Sequence, residues 1–255
     1  MAKNGETRIQ LCGRLVVRLE GRRVDDALPG ALGQLLFAYL ALNRLRRIDR
    51  DELLVAVYGE EATPGHGARL SVLLSKLRRM AGPELLVGRT QLELMLPHDV
   101  FVDVEAAVDA LHRAESHVAK GEWAAAWGPA SLAYDVASRP LLLGQDRLWL
   151  DDWRRRLDDV RLSGLECLAA ASLGLDGPEL PQAVNCARRL VELAPFRETG
   201  YRILMEALER SGNAAEALRV YDRLRLTLRD ELGIPPSSAV QDVYRRLLGA
   251  STTTA

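Results

Sequence analysis

The sequence predicts a mainly α-helical chain in two parts: an amino-terminal helix-turn-helix segment with strands around it (α+β) over residues 1–98, and an all-α helical repeat over residues 99–250. Three observations carry this expectation. Residues 65–96 join a basic amphipathic helix, GHGARLSVLLSKLRRM, to two short strand-like runs, ELLVGRT and QLELMLP, with a turn at Gly88. Two helical or alternating segments stand in front of that helix in an order that builds a helix-turn-helix. The second part repeats its apolar pattern at an interval of 34 residues.

The elements follow in order. TRIQLCGRLVVRLEGRRV alternates around a Glu20-Gly21 turn and reads as two or three strands. Leu32, Leu35, Leu36, Tyr39 and Leu40 recur at helical spacing, so ALGQLLFAYLALN is a buried helix. It is expected to end near Asn43, a residue that tolerates the left-handed conformation at a helix C-terminus. RRID reads as one strand, and Asp49 as the cap of a second helix, RDELLVAVYG, which buries Leu53, Leu54 and Val57 and stops at Gly59. The polar connection EEATPGHG then leads into the basic helix.

In that helix Leu70, Leu73, Leu74 and Leu77 form one apolar stripe, while Ser71, Val72, Ser75, Lys76 and Arg79 point the other way. A helix anchored on one face, with small polar and cationic side chains on the other, suits a DNA major groove. Small residues let the backbone approach base edges, and cations reach phosphates. An ordinary solvated face accounts for the same pattern, and Arg69 and Arg78, which flank the stripe, have carboxylates of the same domain as alternative partners.

The order strands, helix, strand, helix, helix, hairpin, with LPGALGQLLFAYLALNR, RRIDRDELLVAVYGEE and ARLSVLLSKLRR in succession, resembles the winged-helix domain of the bacterial response-regulator type. More narrowly it resembles the amino-terminal domain of the SARP family, the Streptomyces antibiotic regulatory proteins. The resemblance implies that the helix around residues 67–80 is a recognition helix and that residues 84–96 are the wing. The wing is shorter than in many relatives and lacks an aromatic residue at its tip, which leaves Arg89 as its main cation.

The second part is helical throughout. FVDVEAAVDALHRAESHVAKGEW begins it after Pro97, with Asp99 or Asp103 as a cap. Aligning PELPQAVNCARRLVELAP with GNAAEALRVYDRLRLTL sets Ala183 over Ala217, Val184 over Leu218, Ala187 over Tyr221 and Leu190 over Leu224, each 34 residues apart. That is the period of a tetratricopeptide repeat, in which Tyr201, Leu204, Ala217 and Tyr221 take the large, large, small and aromatic positions. A less regular copy, GEWAAAWGPASLAYDVA, is separated from these by an interruption around residues 139–150. ERSGNAAEALRVYDRLRLTLRDELGIPPSSAVQDVYRRLL resembles the closing segment of the bacterial transcriptional activation domain, and LWLDDWRRRLDDVRLSGLECLAAASLGL its middle helix. In DELGIPPS, Gly233 ends one helix, Pro235 and Pro236 prevent its continuation, and Ser237 or Ser238 caps the next, whose Val240, Val243, Tyr244 and Leu247 pack back on the array. Residues 251–255 read as a disordered tail.

Charge and composition bound the function. Residues 1–98 carry a net +4 and the remainder −5, as expected when a nucleic-acid-contacting module is joined to a protein-contacting one. No apolar run reaches the length of a membrane span and MAKNGETRIQ has no signal-peptide core, so a cytoplasmic protein without membrane contact is expected. Cys12, Cys167 and Cys186 are scattered and read as reduced core residues. His66, His98, His112 and His117 form no metal pair, and neither a phosphate-binding Gly-rich loop nor a nucleophile elbow occurs, so no enzyme, cofactor or metal is expected. Trp123 with Trp127 and Trp149 with Trp153 are spaced for packing between helices, or for lining a pocket.

The resemblance implies a transcriptional activator that binds direct repeats in double-stranded DNA near promoters and recruits RNA polymerase, including its sigma subunit. Lys76, Arg79 and Arg89 are the expected phosphate contacts, and Arg69, Ser71, Val72 and Ser75 the expected base readers. A lone winged helix makes few contacts, so self-association on repeated half-sites is expected to supply specificity. Two other readings stay open at this point: a protein-interaction adaptor whose winged helix has become a scaffold, and a ligand-responsive regulator with a Trp-lined pocket.

Overall fold

In a computed structural model, residues 6–60, 63–82 and 84–252 are described. They divide into two compact units, one formed by residues up to 106 together with 136–157, the other by residues 107–135 and 158 onward. The division falls inside three helices, α4 (Asp103–Ala119), α5 (Trp123–Ala137) and α6 (Leu148–Leu175).

The first unit opens with β1 (Arg8–Gln10), β2 (Val16–Leu19) and β3 (Arg22–Arg23). Glu20 and Gly21 both take positive φ, 50° and 80°, between Leu19 and its partner Arg22. Positive φ at both central residues suits a two-residue hairpin. α1 (Gly30–Leu42) buries Leu35, Leu36, Phe37 and Leu40, and is followed by β4 (Ile48–Asp49), α2 (Arg50–Tyr58), α3 (Pro64–Ala81), β5 (Leu86–Val87), β6 (Gln91–Leu94) and β7 (Phe101–Val102). The strands form two sheets, one ordered β3-β2-β1-β7 and the other β4-β6-β5.

Several local expectations are corrected. Asn43 ends α1 at φ −115°, outside the left-handed region; its amide instead donates to the Tyr39 carbonyl at 2.9 Å. Asp49 precedes α2 but makes no side-chain cap bond. Phe101 and Val102 are strand rather than helix, pairing in parallel with β1. Asp103 does more than cap α4. Its buried carboxylate accepts from the backbone N–H groups of Leu11 and Cys12, both at 2.9 Å at their nearest, and from Val104 at 2.9 Å. Burial pushes its pKa up, and the three N–H donors pull against that shift. The Cys12 strand-end is also bridged to Leu141, and the Gly13 N–H donates to the Pro140 carbonyl, which fixes the interruption between α5 and α6 onto the first unit.

In the second unit α7 (Leu180–Leu193), α8 (Glu198–Arg210), α9 (Ala214–Leu232) and α10 (Ser238–Thr252) stack as the repeat predicts. Ala183, Ala187, Tyr201, Leu204, Ala217, Tyr221 and Leu224 share one buried cluster with Val240, Val243 and Leu247, except that Leu190, beside them in α7, is buried against Gly200. Tyr221 and Tyr244 stack with ring centroids 3.9 Å apart. Gly233 ends α9 in the left-handed conformation at φ 69°. The Ser237 N–H donates to the Glu198 carboxylate at 2.7 Å, an anchor the sequence did not suggest. Residues 251 and 252 belong to α10 rather than to a tail, and 253–255 lie outside the described residues.

Candidate nucleic-acid interface

The local chemistry that places α3 begins at its entry. The Thr63 N–H donates to His66 Nδ1 at 2.9 Å, satisfying a backbone donor at the helix start. Leu70, Leu74 and Leu77 are wholly buried and Leu73 nearly so, which fixes one face of the helix against the core. Val72, Ser75, Lys76 and Arg79 stand at i, i+3, i+4 and i+7, two residues out of phase with the leucines. At 3.6 residues per turn that offset is about 200°, so this second stripe faces away from the core. All four of its residues are exposed, Val72 at 53%.

The two flanking arginines differ from each other. Arg69 is exposed and pairs with no carboxylate among the described residues; its charge acts on the Tyr58 hydroxyl, whose pKa burial raises and Arg69 lowers. Arg78 binds no carboxylate among the described residues either. Its Nε donates to the Leu86 carbonyl at 3.1 Å and its Nη2 to the Gly88 carbonyl at 2.6 Å, tying the helix to the hairpin. The hairpin itself pairs Leu86 with Leu94 and Val87 with Glu93, and turns at Gly88 with φ 89°. An added Cβ at Gly88 would lie 1.8 Å from the Gln91 carbonyl oxygen, so the turn accepts only glycine. Arg89, next to it, is exposed at the tip.

Ser71 is less available than its position suggests. Its hydroxyl accepts from Arg50 Nη2 at 2.6 Å and donates to the Gly67 carbonyl at 2.9 Å. Arg50, the first residue of α2, thereby lies against the exposed side of α3, and also donates to the Gly67 carbonyl at 3.1 Å. Sequence reasoning missed it because the two residues are far apart along the chain and only the packing of α2 on α3 unites them. α2 is in turn held by Glu52, which accepts from the Tyr39 hydroxyl and from Arg46. The Arg46 guanidinium keeps the Glu52 carboxyl below its ordinary range, and burial, reinforced by Glu52, lifts the Tyr39 hydroxyl to about 12.

Among the described residues Lys76, Arg79 and Arg89 take part in no ion pair and no side-chain hydrogen bond, and no cluster of His, Cys, Asp and Glu could hold a metal ion. Trp149 lines a cavity with Tyr39, Val55, Ala56 and Arg147, and Trp123 and Trp153 are engaged elsewhere. Trp149 donates to the Ala56 carbonyl at 2.9 Å and meets Tyr39 edge-on, Trp153 lies under Arg156, and Trp123 covers Gly174. The three cysteines are free; Cys12 and Cys167 are buried, and burial raises the Cys167 and Cys186 thiols to about 12 and about 11.

Residues 102–248 match the family model of the bacterial transcriptional activator domain. The chain is 33% identical over 222 residues to the regulatory protein AfsR of Streptomyces coelicolor, an alignment covering 84% of this chain and 22% of that protein. The chain belongs to the SARP family of transcriptional regulators. It is also similar to the transcriptional regulatory protein EmbR of Mycobacterium tuberculosis, at 28% identity over 255 residues, covering 93% of this chain and 62% of EmbR. A solved structure of Mycobacterium tuberculosis EmbR in complex with a low affinity phosphopeptide superposes with a TM-score of 0.81 at 22% identity, covering 97% of this chain and 65% of that one. This SARP-family chain thus spans about a fifth of AfsR and less than two thirds of EmbR. The mainly helical fold with a small β-rich amino-terminal region is that of the EmbR structure, and AfsR and EmbR are regulatory proteins. No helix among the described residues is long and apolar enough to cross a membrane.

Proposed function

We propose that this SARP-family regulator acts as a cytoplasmic activator: α3 and the β5–β6 wing, within a winged-helix domain over residues 1–98, bind direct repeats in promoter DNA, and the helical domain over residues 99–250 recruits RNA polymerase through contacts that include its sigma subunit. The observation that carries the reading is the outer stripe of α3, where Lys76 and Arg79 project beside the small residues Val72 and Ser75 and pair with no acid among the described residues. Lys76, Arg79 and Arg89 take the phosphate contacts, and Val72, Ser75 and Arg69 lie where base edges would be read. Ser71 reads a base only by giving up Arg50, so Arg50 joins the set as a cation that the same movement would release toward phosphate. Two copies side by side on repeated half-sites supply the specificity that one short helix lacks.

The test is selection of genomic fragments by the purified chain, followed by affinity measured against salt concentration. Fragments sharing a direct repeat are expected, with binding that weakens steeply with salt. Replacing Lys76, Arg79 and Arg89 together by Ala should flatten the slope of log K against log salt by about 2.7, at about 0.9 for each lost phosphate contact. An unchanged slope would remove these three residues from the interface, and an absence of any enriched fragment would refute DNA reading by this chain.

A further inference from the structure

The outer face of the amino-terminal sheet carries an arrangement that neither DNA reading nor polymerase recruitment uses. Register sets Phe101, Arg8, Arg18 and Arg23 in one row across β7, β1, β2 and β3. Directly paired residues in a sheet share a face, so three arginines stand side by side on adjacent strands. All three are exposed. Adjacent strands lie about 4.8 Å apart, so the row of three spans about 10 Å.

Like charges opposite one another destabilise a sheet, and this row is not neutralised where it could be. Among the described residues only Arg23 of the three has a carboxylate, a two-pronged pair with the buried Asp25 at 2.8 and 2.9 Å. Arg8 places its guanidinium over the Phe101 ring, 4.5 Å from its centroid, and pairs with no acid among the described residues. Arg18, in the middle with an arginine on either side, has no ion pair and no side-chain hydrogen bond among the described residues. Glu6 and Glu20, just beyond the strand ends, form no ion pair with any of them. Two of the three side chains are thus held, Arg8 beside a ring and Arg23 by a buried carboxylate, and all three remain exposed.

We propose that this row is a docking surface for an acidic protein segment that presents carboxylates along one helical face. Glu or Asp side chains at i and i+4 of a helix are about 5–6 Å apart, close to the inter-strand spacing of the arginines. Guanidinium forks match carboxylates with two parallel bonds, and a flat sheet face accommodates a helix laid across it. The row shares no strand or helix with Lys76, Arg79 and Arg89, so the two cationic surfaces can be altered independently.

The experiment uses the full chain and a fluorescein-labelled helical peptide with Glu at successive i, i+4 positions, followed by anisotropy at low ionic strength. Arg8→Thr with Arg18→Thr should weaken peptide binding by roughly ten-fold, the size expected for two exposed charge pairs, and leave duplex DNA binding as it was. Lys76→Ala with Arg79→Ala should leave peptide binding unchanged. Equal losses of peptide binding in the two variants would reduce the effect to general attraction by a basic unit and overturn the proposal. So would a loss of DNA affinity in the sheet variant with peptide binding intact, which would assign the row to nucleic acid. Arg18→Thr alone keeps the test independent of folding: relieving the central repulsion should raise the melting temperature at low salt, with the gain shrinking as salt is added. A lower melting temperature would mean that Arg18 serves the sheet itself, and the docking surface would fall with it.

Discussion

Gly88→Ala tests whether the wing is held by one turn. Two costs add at this position. The first is conformational: at φ 89° an L-residue costs about 1–2 kcal/mol relative to glycine. The second is steric: the new Cβ would meet the Gln91 oxygen at 1.8 Å and the Gln91 carbonyl carbon at 2.9 Å, both backbone atoms that no rotamer change can clear. The turn must open, which breaks the Leu86–Leu94 and Val87–Glu93 pairing and moves the carbonyls that Arg78 holds. At about 1 kcal/mol net for each hydrogen bond lost, the steric part adds roughly 2–3 kcal/mol. Gly59→Ala and Gly82→Ala separate the two costs. Both glycines have positive φ, 87° and 95°, yet a Cβ at either meets nothing within 4 Å. They should lose only the conformational part, about 1–3 kcal/mol for the extended positive-φ region that both occupy. Urea unfolding gives the comparison, and amide exchange over residues 84–96 shows whether the loss is confined to the wing. If Gly88→Ala costs no more than Gly82→Ala and the wing amides keep their protection, the reasoning from the close approach is wrong.

Asp103→Asn should destabilise the first unit by about 2–3 kcal/mol in urea, because the amide nitrogen cannot accept and leaves the buried N–H of residue 12 or of residue 104 unpaired, while residue 11 keeps the remaining oxygen in either orientation. Arg78→Ala should leave far-UV circular dichroism intact while speeding amide exchange in the wing, since its two bonds to the Leu86 and Gly88 carbonyls are the link from helix to hairpin. Unaltered exchange would locate that link elsewhere. For Glu52, held below its unfolded pKa of about 4.3, the sign is that of a depressed acid: its contribution is present above that value and lost as pH falls through the lower folded value. Thermal unfolding from pH 6 downward should therefore fall more steeply for the wild type than for Glu52→Gln, and parallel curves would contradict the pairing with Arg46.

The periodic parts of this chain were legible because one face of each was buried. The leucine stripe of α3 and the 34-residue spacing of α7 and α9 follow from local burial, the glycine turn of the wing from a positive φ, and the structure places them accordingly. What sequence could not supply were bonds between residues distant along the chain. Asp103 looks like an ordinary helix cap, and only the return of the chain beside β1 gives its second oxygen the N–H of Cys12. The hydroxyl of Ser71 looks free on a helix wheel, and only the crossing of α2 brings Arg50 to it. Asn43 and Asp49 failed for the opposite reason: each has a residue type suited to a cap, but other bonds had already satisfied the local backbone. For the candidate interface, the direction of each side chain on α3 was readable and its engagement was not.

Charge pairing separates α3 from the later helices in a way that bears on what each surface is for. Along α6 to α10 many of the arginines find carboxylates three or four residues away, as in Arg154–Asp151, Arg161–Asp158, Arg189–Glu192, Arg202–Glu206 and Arg245–Asp242. Such pairs contribute about 0.3–0.5 kcal/mol each and leave a face of low net charge. α3 contains no Asp or Glu from end to end, so Lys76 and Arg79 have no local counter-charge. The same absence removes acidic residues from its first turn, where they would favour the helix dipole. The helix persists because four leucines are buried beneath it, not because its surface is balanced. An unbalanced surface on a firmly anchored helix keeps its cations available to an external polyanion, whereas the paired faces of the helical repeat leave recognition there to shape and to individual apolar side chains.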